Sequence, residues 1–240
     1  MVIRALEDVL RLPEKSLAAL LDEGRKQSSF GRVADSDDKR QEMLSRLIPK
    51  LDMRSDTGRF GDTLEPLLVH DSVSLDENGV DRRMMSRTVV RALRGGIDRY
   101  LVLCNMEMTG YSAETVRLHT EEGCRPGRTR ADQESGNLVV EIIFDRMLAE
   151  GDIHTFCYVV SAVDGKRVLE HCRTLPLPCD DLAQLTFHPE ALPARCTRYV
   201  KGVRSGPVVE PGHLIIGSGN VASAYFPASE HSVVGVAIDW

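Results

Sequence analysis

The feature that most constrains the fold of this chain is an alternation of apolar side chains with period two, which recurs through most of the sequence after Leu64. In the runs Leu138–Asp145 and Val234–Trp240 every second residue is apolar, which is the pattern of a strand with one buried face. Further runs of the same type are Val69–Leu75, Tyr100–Cys104, Ile153–Val163, Leu182–Phe187, Arg195–Val203, Leu214–Ile216 and Val221–Phe226. Together these runs predict about nine to eleven strands.

Turn-forming residues separate the predicted strands, and no helical periodicity lies between them. The segments Asp76–Gly79, Glu150–Asp152, Asp164–Gly165 and Gly217–Asn220 combine glycine with aspartate or asparagine, as tight turns require. Many short strands joined by such turns are typical of an antiparallel sandwich or barrel. We therefore predict a mainly β chain, with an antiparallel β-sandwich domain over residues 64–240 and a short N-terminal helical segment over residues 1–51.

The N-terminal segment has helical spacing instead. Its apolar residues form three stripes: Leu6, Val9 and Leu10; Leu17, Leu20 and Leu21; and Met43, Leu44, Leu47, Ile48 and Leu51. Helices this short are marginal when isolated in water, so they are expected to dock on the rest of the chain, on a second copy or on residues upstream. Polar linkers at residues 26–38 and 52–62 separate these helices from each other and from the β-rich region.

A resemblance to a known family rests on the run Leu6–Leu21, LEDVLRLPEKSLAALL. It resembles the last two helices of a repressor-type (XRE) helix-turn-helix domain, and the sequence after it is similar to the β-rich C-terminal region of actinobacterial regulators with that domain. The resemblance implies the effector part of a transcriptional regulator. The helices with which that family enters the major groove would precede Met1, so DNA is an expected partner only if upstream helices exist.

Charge and hydropathy narrow the classes of function. A formal net charge of −6 and a pI near 5.7 argue against the basic surface that binding to nucleic acid needs. No apolar run is long enough to cross a membrane, and the N-terminus lacks the apolar core of a signal peptide. These absences predict a cytoplasmic protein with no membrane partner.

Metal and cofactor motifs are missing from the sequence. The six cysteines form no Cys-x-x-Cys pair, and the seven histidines lie in separate runs, so we predict reduced thiols and no metal. The sequence has neither a Gly-x-Ser-x-Gly nucleophile motif nor a glycine-rich phosphate loop followed by a helix. We therefore predict no cofactor and no catalytic residue.

Arginines form the most distinctive charged pattern. Arg83, Arg87 and Arg91 share strand parity, and guanidinium groups on one face can bind a phosphate or a carboxylate. A solvated strand whose charges discourage edge pairing is the favoured interpretation. A second basic patch, Arg125–Arg130, is predicted to be a loop because it contains a Pro-Gly pair.

The segment Gly151–Tyr158 contains the best local candidate for an acid–base pair. Asp152 and His154 are two residues apart, so a strand would direct both to one side, where a carboxylate orients an imidazole. Phe156 and Tyr158 follow on the same face, and a half-buried structural histidine is the favoured interpretation. The candidate ligand-binding residues are Arg83, Arg87, Arg91, His154 and Tyr158.

These patterns predict a non-enzymatic regulatory or interaction module, the effector or ligand-sensing part of a transcriptional regulator. Its expected partners are a protein or a second copy, bound through the N-terminal helices, and a small ligand. The alternative is a hydrolase-like enzyme whose site is built from scattered His and Asp residues on the sandwich. A deep pocket with convergent histidines favours the enzyme, and dispersed histidines favour the module.

Overall fold

The structure, a computed structural model, describes residues 63–105, 112, 114–132, 137–175, 177–202, 208–228 and 232–240. All of them belong to one compact unit, Arg40–Trp240. The predicted helical segment 1–51 lies outside the described residues. Docking or self-association through that segment therefore stays a prediction.

Strands dominate the described part of the chain, which confirms the predicted mainly β class. The thirteen strands are β1 (Leu64–Leu75), β2 (Asp81–Ala92), β3 (Ile97–Asn105), β4 (Arg117–Glu122), β5 (Cys124–Asp132), β6 (Asn137–Leu148), β7 (Ile153–Ser161), β8 (Glu170–Leu175), β9 (Asp180–Thr186), β10 (Arg195–Gly202), β11 (Val208–Leu214), β12 (Val221–Phe226) and β13 (Ser232–Asp239). The predicted count of nine to eleven was too low, because polar strands such as β4 lack the apolar alternation on which the count relied.

Arg125–Arg130, predicted to be a loop, lies within β5. The Pro-Gly pair sits at an irregularity of the ladder between β5 and β6, where the register shifts between Pro126 and Thr129. A bulge of this kind accommodates residues that a regular ladder excludes. The loop prediction was therefore wrong, and the turn-forming residues mark a bulge.

The strands form three sheets. A six-stranded sheet has the order β12-β9-β1-β2-β7-β4, a four-stranded sheet the order β11-β10-β13-β8, and a three-stranded sheet the order β3-β6-β5. The pairing of β1 with β9 is parallel, whereas neighbouring pairs such as β1 with β2 and β9 with β12 are antiparallel. The expectation of a purely antiparallel arrangement was therefore wrong for one central pair.

Two hydrophobic cores lie on one face of the six-stranded sheet. The first core joins residues of β2 and β7 to residues of the three-stranded sheet, including Phe156 and Ile142. The second joins residues of β1, β9 and β12 to the four-stranded sheet, including Leu185 and Val236. Met84 packs against both cores. We call the zone where the two cores meet the seam.

Trp240, the residue after β13, packs against the second core. Its indole Nε1 donates a hydrogen bond to the Val168 carbonyl at 2.7 Å. Its ring also leaves no space for a side chain at Gly79, which has a φ of +72°. Within the described residues, no helix is long and apolar enough to cross a membrane.

Candidate active site

The buried face of the six-stranded sheet carries a polar row between its two cores. On β1, Val69 and Val73 enter the second core, and Asp71 lies between them with only 1% of its surface exposed. Asp71 pairs across the ladder with Ser86 of β2, which in turn pairs with Tyr158 of β7. Because paired residues share a face of the sheet, the three polar side chains lie side by side beneath the seam.

Three further charged residues complete the site. Asp181 of β9 pairs with Val69 and is 3% exposed. His171 and Arg173 lie on β8, in the four-stranded sheet, opposite Val236 and Val234 of the second core. Two sheets therefore bring together four residues that we call the seam cluster: Asp71, His171, Arg173 and Asp181.

Direct contacts connect the seam cluster. Arg173 Nη2 and His171 Nε2 both contact Asp71 Oδ2, the histidine at 3.2 Å. Arg173 Nε lies 3.3 Å from Asp181 Oδ2, so one guanidinium bridges two buried carboxylates. The side chains of His171 and Arg173 keep 16% and 23% of their surface exposed. The cluster therefore reaches solvent through β8.

The pKa values of the two carboxylates move in opposite directions. Burial acts to raise the pKa of Asp71, but the Arg173 guanidinium and the hydrogen bond from His171 outweigh it and hold that pKa well below its usual range. Burial raises the pKa of Asp181 to about 6, because Arg173 offsets the loss of solvation only in part and the charge of Asp71 adds to it. Asp71 is therefore a permanent anion, and Asp181 exchanges its proton near neutral pH.

His171 titrates under the control of Asp71. Burial acts to lower the pKa of the imidazole, but the hydrogen bond and the charge of Asp71 outweigh burial and raise it. Asp71 therefore stabilises the imidazolium form of His171. A carboxylate that holds a histidine in this way also fixes the orientation of its ring.

Four polar atoms of this region lack a hydrogen-bond partner among the described residues: Asp71 Oδ1, Ser86 Oγ, Arg173 Nε and Asp181 Oδ2. The contact of Arg173 Nε with Asp181 is close but lacks hydrogen-bond alignment. Buried polar groups are nearly always satisfied, and exceptions concentrate at sites that bind water or act in catalysis. The seam cluster therefore has unused capacity to donate and to accept.

Within the described part of the chain, no group of three or more His, Cys, Asp or Glu residues is placed to hold a metal ion. The sequence also has no His-Glu-x-x-His motif, the spacing by which a helix presents two zinc ligands on one face. The chemistry that the seam cluster offers is proton transfer between a buried carboxyl and an imidazole.

The three candidate arginines lie on the opposite face of the six-stranded sheet. Each forms an ion pair with a glutamate: Arg83 with Glu121, Arg87 with Glu122 and Arg91 with Glu65, at 3.1, 3.1 and 2.8 Å. All three are close to half exposed, as the favoured interpretation of a solvated strand predicts. Binding of an anion by these arginines stays a prediction.

His154 and Tyr158 lie on the buried face instead. His154 is buried, its Nε2 lies 2.8 Å from the Gly123 carbonyl, and its ring packs on Phe144. Asp152, its candidate partner, accepts hydrogen bonds from Arg146 and from the Ala149 amide. Burial raises the pKa of Tyr158 to about 12. The five candidate ligand-binding residues are therefore split between two faces, and the structure does not bring them together.

Sequence analysis missed the seam cluster. Asp71 and Asp181 do carry a signal, because each stands at an inward position of an apolar alternation, as in Val69-x-Asp71-x-Val73. A charge at such a position is almost never buried without a partner. The partners, His171 and Arg173, carry no comparable signal, since β8 is short and largely polar.

Comparisons with known proteins give little. No family model and no curated protein matches the chain. Among solved structures, the chain is similar to two-domain M1 zinc metallopeptidase variants, one bound to L-arginine and one bound to L-tryptophan. Both have a TM-score of 0.41 and 12% identity and cover 75% of this chain. The chain spans 43% and 44% of their lengths.

This finding contradicts the prediction of a non-enzymatic regulatory or interaction module, because the structures found are enzymes. The accompanying prediction that the chain is not an enzyme is corrected with it. A TM-score of 0.41 at 12% identity assigns no metal, substrate or mechanism of these metallopeptidases to this chain.

Proposed function

We propose that the chain is a hydrolase whose acid–base site is the seam cluster. The observation that carries the proposal is the split of the pKa values of Asp71 and Asp181, two buried carboxylates that contact one guanidinium. Paired titratable groups whose pKa values are pushed apart are characteristic of acid–base catalysis. This is the alternative that the sequence left open, with residues other than His154 and Asp152.

The roles follow from the protonation states. Asp181, with a pKa of about 6, is the general base, because its carboxylate is available and still basic at neutral pH. His171, whose imidazolium form is stabilised by Asp71, is the general acid. Arg173 positions both carboxylates and places positive charge beside the reaction, where it stabilises a developing oxyanion.

The reaction is hydrolysis of an ester or amide. Asp181 accepts a proton from water as the water oxygen bonds to the carbonyl carbon. The bond from that carbon to the leaving oxygen or nitrogen then breaks, and the leaving atom takes the proton of His171. Solvent returns the proton from Asp181 to His171, so no other reactant is needed.

Two further expectations belong to this proposal. A β-sandwich built from the three sheets is supported by the two cores on one face of the six-stranded sheet. A cytoplasmic location is supported by the six cysteines, all of them free thiols.

The test is turnover of p-nitrophenyl acetate and of a p-nitroanilide by the full chain between pH 4 and 9. We expect a bell-shaped profile whose acid limb lies near pH 6, set by Asp181. Asp181→Asn and His171→Gln should each lower kcat by about 100-fold or more. Glu141→Gln, which alters a buried carboxylate of β6 outside the seam cluster, is the matched control and should retain the activity.

Two results would contradict the proposal. The first is the absence of turnover above the buffer rate on both substrates in a protein shown to be folded. The second is a profile whose acid limb is unchanged in Asp181→Asn.

A further inference from the structure

The four-stranded sheet is buried on both of its faces. On β13, Val234, Val236 and Ile238 belong to the second core, so the intervening Val233 and Gly235 lie on the opposite face. Val233 and Gly235 are nevertheless buried too. A strand with one solvated face alternates buried with exposed residues, so this opposite face, which we call the outer face, is covered as well.

The strands on either side of β13 continue the outer face. Tyr199 of β10 pairs with Gly235 and is 1% exposed, and Lys201 pairs with Val233 and is 7% exposed. The Tyr199 hydroxyl donates a hydrogen bond to Glu170 Oε2 of β8 at 3.0 Å, and a Cβ atom at Gly235 would lie 2.7 Å from Tyr199 Oη. The tyrosine side chain therefore crosses β13, and its near-complete burial indicates a further layer above it.

That layer is neither of the two cores, because Tyr199 and Val233 belong to neither of them. The exposures are those of a single chain, so the covering residues belong to this chain and not to a second copy. Residues 1–62 are the longest stretch outside the described residues, and each of the other stretches has six residues or fewer. The compact unit begins at Arg40, which makes residues 40–62 the candidates for the layer.

Residues 40–62 contain one apolar stripe with helical spacing. Its members are Met43, Leu44, Leu47, Ile48 and Leu51. A helix over residues 43–51 rises about 12 Å, and four strands with the usual spacing are about 14 Å wide. The polar linker 52–62 can span up to about 36 Å to Thr63, the first described residue. The stripe therefore has the length to cover the sheet and a linker long enough to reach it.

We propose that the outer face of the four-stranded sheet binds residues 43–51 of the same chain as an amphipathic helix. The apolar stripe packs on Tyr199 and Val233, so that a helical layer covers the sheet on the side opposite the second core. The inference is independent of the proposed function, because His171 and Arg173 pair with residues of the second core and lie on the other face of β8.

The first experiment identifies what the stripe contacts. The photoreactive residue benzoylphenylalanine replaces Leu47 in the full chain, and the folded protein is irradiated at micromolar concentration. We expect a cross-link within one chain to a peptide that contains Tyr199 or Val233, mapped by mass spectrometry. The same replacement at Ser45, which lies away from the stripe on the predicted helix, is the control and should give at most a tenth of that product. A cross-link between two chains, a cross-link to another sheet, or no cross-link overturns the proposal.

The second experiment measures access to Tyr199. Leu47→Glu places a charge in the stripe, so nitration of Tyr199 by tetranitromethane should become at least tenfold faster. Ser45→Glu adds the same charge away from the stripe and should leave the rate unchanged. Tyr158, which is buried in the first core, reports the folded state and should stay protected in both variants. Equal nitration of Tyr199 in the wild type and in a folded Leu47→Glu protein overturns the proposal, and the cross-link decides if that variant does not fold.

Discussion

In the part of the chain that the structure describes, fully buried acidic side chains occur in two places, and their hydrogen bonding differs. Glu141 of β6 is 1% exposed. It accepts hydrogen bonds from the side chain of Arg99, from the side chain of Arg128 and from the Arg128 amide. Both of its oxygens are occupied, and Arg99 is also paired with Asp98. We call Glu141, Arg99, Arg128 and Asp98 the Glu141 cluster.

In the seam cluster, by contrast, the contacts of Asp71 converge on Oδ2, while Oδ1 has no hydrogen-bond partner among the described residues. Arg173 divides its guanidinium between two carboxylates. The Glu141 cluster holds the bulge of β5 against β6, and none of its side-chain atoms is among the buried polar atoms that lack a hydrogen-bond partner in the described chain. The difference indicates that one cluster serves the fold and that the other retains capacity for chemistry.

The largest expected change in the free energy of unfolding comes from replacing the buried carboxylate of each cluster by its neutral amide. Asp71→Asn leaves Arg173 with Asp181 as its remaining acidic contact in the seam cluster, and it should lower the free energy of unfolding by about 3–5 kcal/mol. Glu141→Gln should cost less, about 1–3 kcal/mol, because Arg99 keeps Asp98 and Arg128 is partly exposed. Urea unfolding at pH 7 measures both. A larger loss for Glu141→Gln would reverse the comparison.

The second prediction concerns the pH dependence of stability. The pKa of Asp181 is raised in the folded state, from 3.8 to about 6, so the folded protein binds its proton more tightly than the unfolded chain does. Its contribution to stability is complete below about pH 4 and is lost as the pH rises to about 6. The wild type should lose about 3 kcal/mol through this group over that window.

Asp181→Asn should not show this loss. The stability difference between the variant and the wild type, followed by urea unfolding at pH 4 and pH 6.5, should shift by about 3 kcal/mol in favour of the variant. The pKa of Glu141 shifts in the opposite direction, because burial acts to raise it but Arg128 and Arg99 outweigh burial and lower it. Its contribution is present above about pH 4.5 and lost on acidification. If the difference in stability between Asp181→Asn and the wild type were the same at pH 4 and pH 6.5, Asp181 would be ionised in the native protein over that range.

A third prediction tests how tightly the Glu141 cluster is packed. A Cβ atom at Gly127 would lie 2.7 Å from Glu141 Oε2, so Gly127→Ala must displace the carboxylate or the bulge. We expect a loss of about 1–3 kcal/mol, measured by thermal unfolding. The activity on p-nitrophenyl acetate should not change, since Gly127 lies on β5 and contacts no residue of the seam cluster among the neighbours of its Cβ position.

The smallest effect is expected at Ser86. Its hydroxyl is fully buried beside Asp71 and has no aligned hydrogen bond in the described chain. Ser86→Ala removes a polar group that gains little from burial, so stability should change by less than about 1 kcal/mol and can increase. A loss above about 2 kcal/mol in urea unfolding would mean that Ser86 completes the seam cluster by a strong hydrogen bond.

The sequence predicts a strand correctly where buried and exposed side chains alternate. It misses a strand whose pairing depends on contacts with a neighbouring strand. The alternation of Leu138, Val140 and Ile142 correctly identified β6, because each of these side chains enters the first core. The neighbouring β5 was missed because Pro126 and Gly127 are typical of turns. Only the contact with Glu141 across the bulge explains why strand pairing continues there.

The candidate site was less predictable, since it depends on pairing between distant parts of the chain. The prediction that Arg83, Arg87 and Arg91 lie on one face of a strand is correct. No local pattern reveals, however, that glutamates of other strands form ion pairs with them. The proximity of Asp71 to Asp181 follows from the parallel pairing of β1 and β9. Local periodicity specifies which residues face inward and does not specify which strand lies alongside.

The parallel pairing of β1 with β9 also has a consequence for how the protein folds. The contact of Asp71 with Arg173 joins residues 102 positions apart, so the seam cluster assembles only after a very long loop closes. Contacts of such high sequence separation form slowly, and proteins dominated by them fold in milliseconds to seconds. Until that closure the charged side chains stay hydrated, and their desolvation falls late in folding, when the two sheets meet.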